Sequence, residues 1–541
     1  MNSKLQAIGT HECREWSGKI FSKHRGVDGF LKSQYIKDAR SRGSRAANQH
    51  LGSIDEALTF TGFTSAALYD EEIKNLSSVR AIQARGMYLQ QAKKNDTAGI
   101  AEKLTEFCEL HGVVFPLKIT RNDTPAKIAG KIISAAKRVQ DEKWWLRKLR
   151  TLMKRQTESV LRSLGFVREG KSPYVSNWAY KRWAMDNARN RKTLGRMEAV
   201  TKDENGQEVV CDLLEKVDAS NANPEIREAE LKGRVAGYEE VAKGLGLAGS
   251  MFTLTTPSRF HPYHHFGGKN KNFDGSTPRD AMDYMNEVWA RIRTAWARKG
   301  IKAFGLRTVE PHHDGTPHSH IALFFSPEQI DQAWEIFHQY ALEESPDEPG
   351  ALEHRATRLD MDPSKGSLMG YVLKYICKNL TGGGIDWDLE AQVCSTEGAK
   401  RATAWASIWG IRQFQFIGSV SVTVWRELRR LTDAFEGMDA DLLENLRAAA
   451  DEGNWAGFVE LMGGAYVSRN DQPLRPQYSP ENPNVENQYY EPVKKLVGLW
   501  LQPVARALGR YISTRDKVWV IREKSFCVLE EAKPPPSDLC Q

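Results

Sequence analysis

Residues 370 to 380 read Gly-Tyr-Val-Leu-Lys-Tyr-Ile-Cys-Lys-Asn-Leu. At helical period Tyr371, Lys374, Tyr375 and Lys378 fall at i, i+3, i+4 and i+7 and share one face. Leu373, Ile376, Cys377 and Leu380 repeat that spacing about half a turn away, so their stripe is expected to be buried. A phenolate is a nucleophile, and a nearby ammonium favours its charged form. Lysine also neutralises phosphate oxygens. Two equivalent nucleophiles side by side suit a reaction that makes a covalent bond and then exchanges it. Ordinary packing of an amphipathic helix gives the same pattern, so a second cluster has to decide.

That cluster is Glu310-Pro-His-His-Asp-Gly-Thr-Pro-His-Ser-His320. His318 and His320 are two apart on an expected strand, and period two puts both imidazoles on one face. Two imidazoles and a carboxylate half-fill the shell of a divalent ion and leave positions open for phosphate oxygens. Glu310, across the hairpin, is the expected third ligand. His312, His313 and the group His261, His264 and His265 are further possible ligands, read here as loop or nucleic-acid contacts.

The elements that must hold these residues are legible in outline. Phe252 to Thr256 is β-rich and stops at Pro257. Phe304 to Glu310 and His318 to Phe325 flank the Asp314-Gly315 turn signal and make a hairpin. Arg412 to Ile417 is a further strand. Helical periodicity covers Asn223–Val241, Ala281–Ala297, Pro327–Leu342, the two-tyrosine segment and Val424–Leu431. Strands interleaved with helices predict an α+β fold with a central antiparallel sheet and helices on one face. Residues 1–50 are polar and are expected to be partly disordered. Four regions follow: 1–120, helical at the N-terminus; 121–243, basic and helical; 244–431, holding both clusters; and 432–541, largely helical with an extended arm over 470–492, a helix from Leu499 to Tyr511, a strand from Lys517 to Ile521 and a tail from Pro534.

Charge is uneven along the 541 residues. Lys131 to Arg196 carries eighteen Lys and Arg against five Asp and Glu, or +13 of a net +7, leaving −6 elsewhere. Lys143, Arg147, Arg150 and Lys154 form a basic stripe beside an apolar one of Trp145, Leu149, Leu152 and Met153. Lys181, Arg182, Arg189 and Arg191 follow among Trp178, Tyr180 and Trp183. Such a patch marks a nucleic-acid partner or a solvated helical surface. The tryptophans are read as core and the charges as DNA-binding. The seven cysteines are scattered without Cys-x-x-Cys, which points to reduced thiols. No apolar run reaches membrane-spanning length, and the first residues lack a signal-peptide pattern. Gly267-Gly-Lys-Asn fails the phosphate-loop spacing, so no helicase motor is expected in the chain.

Thr253-Leu-Thr-Thr-Pro257, Glu310 to His320, and Tyr371-x-x-x-Tyr375-x-x-Lys378 match, in order, the three motifs of the HUH endonucleases. The sequence most resembles the replication gene A proteins of temperate tailed phages, with the motifs lying between about 250 and 425. Ser319 departs from the family, which has an apolar residue there. The resemblance implies a sheet of HUH type and Mg²⁺ or Mn²⁺ held by His318, His320 and Glu310. It implies that Tyr371 or Tyr375 attacks one strand of a single-stranded or melted origin, aided by Lys374 and Lys378. The implied products are a 5′-phosphotyrosine link and a free 3′-hydroxyl that starts rolling-circle replication. Host helicase, polymerase and single-strand-binding protein are the implied partners, and the bacterial host cytoplasm the implied location. An HUH transposase or relaxase, a metal hydrolase using water, and a non-catalytic basic DNA-binding protein are the alternatives.

Overall fold

Glu310 and His318 face each other across an antiparallel hairpin at the middle of the main sheet. The computed structural model describes residues 2–59, 70–94, 96–264, 268–362, 364, 366–384, 386–418, 420–432, 435, 440–479, 486–502 and 510–524. His265, Gly267, Cys527, Cys540 and the tail from Pro534 lie outside the described residues.

Five strands build the sheet: β1 (Ala248–Thr255), β2 (Phe304–Pro311), β3 (Pro317–Phe325), β4 (Ala356–Asp360) and β5 (Phe414–Ile417). Their order is β4-β1-β3-β2-β5, and each neighbouring pair is antiparallel. Seven helices matter for the site: α1 (Glu142–Ser163), α2 (Asn177–Gly195), α3 (Pro224–Gly244), α4 (Pro278–Arg298), α5 (Ile330–Ala341), α6 (Leu368–Leu380) and α7 (Ser395–Trp409).

Helices cover both faces of the sheet, not one as expected. Phe252, Leu254, Ile321 and Leu323 pack on Met285, Trp289, Ile292 and Trp296 of α4 and on Phe337 of α5. Met251, Leu306, Ala322 and Phe324 pack on Leu368, Met369, Val372 and Ile376 of α6 and on Val235 and Tyr238 of α3. The reason is in β3 itself. Ile321-Ala-Leu-Phe-Phe325 is an unbroken apolar run, the signature of a strand buried on both sides. Each large side chain so buried contributes roughly 1.5–3 kcal/mol. The buried stripe of α6 is Leu368, Met369, Val372, Ile376 and Leu380, while Leu373 and Cys377 are only half-buried.

Two regional expectations are corrected. The N-terminal residues are folded, not partly disordered: His11–Lys23 and Asp28–Leu58 are helices. Phe21, Leu31, Tyr35, Leu51 and Ile54 form a core with Val160, Leu161 and Leu164 of α1. Their polar composition hid apolar residues at helical spacing. After the helices Ala440–Asp451 and Trp455–Leu461, the C-terminal region is strand, not helix. Leu474–Tyr478, Leu496–Leu501 and Arg510–Ser513 form a three-stranded sheet where an arm and a helix were expected. A further strand, Val520–Glu523, joins the hairpin Met197–Lys202/Glu208–Asp212. Among the described residues no helix is long and apolar enough to cross a membrane, and Cys13, Cys108, Cys211, Cys377 and Cys394 are free thiols.

The helical region before the sheet is pinned to the hairpin by one side chain. Arg162, at the end of α1, is 2% exposed. Its Nε donates to the carbonyl of Asp314 (2.8 Å), Nη1 to that of Ser276 (2.9 Å), and Nη2 to Thr316 Oγ1 (2.6 Å) and the carbonyl of Phe260. Gly315, in the same turn, has φ +80°, and a Cβ there would lie 2.9 Å from the carbonyl oxygen of Tyr174. Only glycine accepts both the conformation and the approach. Arg162→Ala strips the carbonyls of Asp314 and Ser276 of this donor, leaves that of Phe260 only the Thr316 hydroxyl, and should cost about 3 kcal/mol. We expect its thermal midpoint to fall by about 3–6 °C, with Arg162→Lys intermediate because one ammonium cannot reach all four; a calorimetric scan measures both.

Candidate functional site

The register of the hairpin sets the first layer of the site. Glu310 pairs with His318, and His320 lies between Thr308 on β2 and Thr253 on β1, so these side chains share the face that α6 covers. The ligand atoms of Glu310, His318 and His320 all lie within 4.8 Å of one another. The Nε2 atoms of the two histidines are 2.9 Å apart, and Nδ1 of His320 is 3.1 Å from Thr253 Oγ1. Burial holds the His318 imidazole well below its ordinary range and lowers His320 to about 3. Both rings are therefore neutral near pH 7. Two converging neutral imidazoles beside a carboxylate fit a divalent ion of the borderline-hard class.

Glu310 is 1% exposed, and burial raises its pKa. Lys378 Nζ lies 3.3 Å from one of its oxygens, and Asn379 Nδ2 donates to the other. Lys378 Nζ is also 3.6 Å from Asp388. Burial alone would lower the Lys378 pKa, but Glu310, Asp388 and Glu390 outweigh it and raise it. Tyr174 Oη donates to Asp388 (2.8 Å), and the Tyr174 backbone has φ +68°, a costly conformation for a tyrosine. The residue is held there by its buried ring and by the bond from its N–H to the carbonyl of His313 (3.1 Å).

The tyrosines lie against this layer. The Tyr375 ring stacks on His320 with centroids 4.3 Å apart at 24°. Tyr371 packs edge-on against Tyr375 at 5.7 Å. Burial, then Tyr371 and Glu310, pushes ionisation of Tyr375 well above the ordinary phenol range. Lys374 is exposed, with Nζ 5.1 Å from the Tyr371 ring centre. On the other side His312 stacks on His318 at 4.1 Å, and His261 follows at 5.3 Å. From Tyr371 to His261, six rings thus stand neighbour to neighbour. His312 faces Glu390 (Nδ1 to Oε1, 3.6 Å), which burial would raise but the His312 contact and the His313 N–H lower to about 2.

Ser319 points to the opposite face, where its Oγ accepts from Nε of the buried Arg307 (3.2 Å); Nη1 of Arg307 donates to Asn286 (2.9 Å). A polar residue in an apolar row is thus the partner of a sealed guanidinium.

The eight basic residues singled out lie on α1 and α2. Lys143, Arg147 and Lys181 are exposed. Arg150 pairs with Asp70 (2.6 Å), Lys154 with Asp186 (2.6 Å), Arg189 with Asp186 (2.9 Å) and Arg191 with both oxygens of Asp218 (2.6 and 2.8 Å). Arg182 is half-buried, 5.8 Å above the Trp178 ring. Trp144 and Trp145 are core, while Trp178 and Trp183 are half-buried. Surface pairs of this kind are worth at most about 1 kcal/mol each, so a phosphate can displace them.

Sequence reading missed Tyr174, Asn379, Asp388 and Glu390. Asn379 follows Lys378 directly and is 1% exposed, so the same helix register reaches it. Asp388 and Glu390 come from the short hairpin Trp387–Asp388/Val393–Cys394, which has no periodic signal.

A family model described as "Bacteriophage replication gene A protein (GPA)" matches residues 67–383. The chain is 35% identical over 384 residues to "Probable replication protein P12" of Pseudoalteromonas phage PM2, covering 70% of this chain and 59% of that protein. It is 36% identical over 424 residues to "Replication gene A protein" of Escherichia phage 186, covering 77% and 60%. It is 30% identical over 403 residues to "Probable replication endonuclease from prophage-like region" of Salmonella paratyphi A, covering 72% and 49%. The matches thus span about half to three fifths of the relatives' own length. No solved structure matches the chain.

Titration with Mn²⁺, followed by calorimetry or by loss of the free-ion magnetic resonance signal, tests the first layer. His318→Ala and His320→Ala should each weaken binding at least about tenfold, whereas His338→Ala on α5 should not. Metal competes with protons only for ligands that titrate. Both imidazoles are already neutral, so lowering the pH from about 8 to about 6 should cost affinity only through the Glu310 carboxyl, whose pKa burial raises, and less than it would for a site whose histidines titrate in the ordinary range.

Proposed function

The chain belongs to the bacteriophage replication gene A protein family, and on that footing we propose that it is a replication endonuclease of the HUH type that nicks one DNA strand at an origin through a tyrosine nucleophile. The observation that carries this reading is the stacking of Tyr375 on His320. It sets a phenol directly against a converging pair of metal-ligand imidazoles.

The phenol of Tyr375 resists ionisation in its buried setting. Lys378, half-buried on the same helix, is engaged by Glu310 and Asp388. His318, His320 and Glu310 would hold a divalent ion, which would supply the positive charge that the phenol and the scissile phosphate both need. Lys378 and Asn379 fix the Glu310 carboxylate, and Thr253 and Tyr375 hold the His320 ring between them. The phenol gives up its proton to solvent as its oxygen attacks phosphorus, a phosphotyrosine bond forms to the 5′ side, and the bond to the 3′-oxygen breaks. The 3′-oxygen takes up a proton and becomes the hydroxyl that a polymerase extends. Tyr371 and Tyr375 are adjacent, so whichever remains free can cleave the regenerated junction. The chain carries no phosphate-loop motif, and a host helicase and single-strand-binding protein supply the unwinding. The exposed Lys143, Arg147 and Lys181, together with Arg150, Lys154, Arg182, Arg189 and Arg191, attract the phosphate backbone.

The test is incubation with labelled single-stranded DNA carrying the replicon's origin, with Mg²⁺ or Mn²⁺ or with chelator, resolved on a denaturing gel. We expect a metal-dependent protein–DNA adduct. Changing both Tyr371→Phe and Tyr375→Phe should lower it at least about a thousandfold, with Tyr375→Phe alone the more damaging single change. Cleavage that survives the double change and leaves a free 5′-phosphate would assign the site to a water-using hydrolase. Retarded DNA without cleavage would leave a binding protein.

A further inference from the structure

A cleft of about 430 Å³ opens beside the metal-ligand pair, at the end away from the tyrosines. Its walls include His261, Tyr263, His264, His312, His354 and Thr256. His312 is shared: one side of its ring stacks on His318, and the residue also lines the cleft. The tyrosines contact the His320 end of the file of rings, and the cleft lies at the His312 end.

The lining says what kind of group fits. It holds no lysine, and its one arginine, Arg355, is committed: Nη1 donates to the carbonyl of Glu344 (2.7 Å) and Nη2 to Glu348 (2.6 Å). The carboxylates are answered too, Glu348 by Arg355 and Glu390 by His312. Asp314, just behind the wall, faces His261 at 3.1 Å. Among the described residues of the lining no cation is left over for a phosphate, and no bare carboxylate repels a DNA strand. Flat imidazole and phenol rings with hydroxyl edges suit a base and its sugar, which stack on such surfaces. The volume is that of an ordinary small-ligand pocket.

Geometry then selects which nucleoside. In a displacement at phosphorus the attacking and leaving oxygens stand roughly in line on opposite sides. With the phosphate at the metal ligands and the phenol at the His320 end, the leaving oxygen points to the His312 end. We propose that the cleft binds the nucleoside whose 3′-oxygen leaves, and that it retains this 3′-terminal nucleoside without a covalent bond after the nick. The assignment rests on the tyrosine-nucleophile reading above. It gives the 3′-end a place to wait, poised for rejoining or for surrender to a polymerase.

The experiment uses the full chain with Tyr371→Phe and Tyr375→Phe, in chelator, so that no chemistry occurs. The probes are twelve-nucleotide single strands with 2-aminopurine at the 3′-terminal or the 5′-terminal position, read by anisotropy and by base emission. We expect the 3′-terminal probe to change emission on binding and the 5′-terminal probe to change little. His264→Ala and His354→Ala, both at exposed positions, should weaken binding of the 3′-terminal probe at least tenfold without lowering the thermal midpoint. Blocking its 3′-hydroxyl with a phosphate should weaken it likewise. Equal response of the two probes, a response of the 5′-terminal probe alone, or binding unaffected by both histidine changes would overturn the assignment. The nucleophile reading fails separately, through absence of adduct with the unaltered protein and metal.

Discussion

A guanidinium sealed inside a protein must have its donors answered, because water is not there to do it. Arg162 meets that demand with acceptors from three stretches far apart in sequence: Phe260, Ser276 and the turn holding Asp314 and Thr316. These define where the loop after β1, the approach to α4 and the tip of the hairpin that carries Glu310 and His318 sit relative to α1. The N-terminal helices lean on the other end of the same arrangement, through Val160, Leu161 and Leu164. Nearby, Glu158 is fully enclosed and accepts from Ser176 N–H (2.7 Å) and from its hydroxyl, which fixes the strained segment that brings Tyr174 to Asp388. Position at the hairpin is thus dictated by polar groups that have no other way to be satisfied.

The parts legible in the sequence were those whose chemistry repeats with a structural period. His318 and His320 at spacing two, with Glu310 across a turn marked by Asp314-Gly315, need only one hairpin to converge. Tyr371 and Tyr375 at spacing four need only one helix. Tyr174, Asp388 and Glu390 follow no period. They are brought in by long-range hydrogen bonds and short irregular turns, so nothing local announces them. β4 was hidden for a related reason. Ala-Thr-Arg-Leu-Asp is a polar edge strand that covers β1 and faces solvent on much of its surface.

The regional expectations failed where composition stood in for pattern. A polar N-terminus was read as disorder, yet Leu31, Tyr35, Leu51 and Ile54 fall on helix faces that find a partner in α1. In the C-terminal region Leu499-Trp-Leu501 was read as the start of a helix, although it ends the strand Leu496–Leu501, whose β-compatible residues and glycine fit that state. Gly498 is needed there, since a Cβ would lie 2.1 Å from the carbonyl of Ile512. Ser319 taught the converse lesson. One hydroxyl in an apolar strand becomes intelligible once Arg307 is seen beside it.

The stacking of Tyr375 on His320 also restricts what this centre can become by substitution. The imidazole is gripped between a threonine hydroxyl on one edge and a flat phenol on one face. Serine or threonine in place of Tyr375 would keep a hydroxyl but remove the planar wall, and the imidazole could then swing out of aim. On the proposed function the side chain is a buttress as well as a reagent, so alanine and phenylalanine replacements report on different things. A lineage drifting away from this chemistry would be expected to keep a ring at that position long after it had ceased to keep an oxygen.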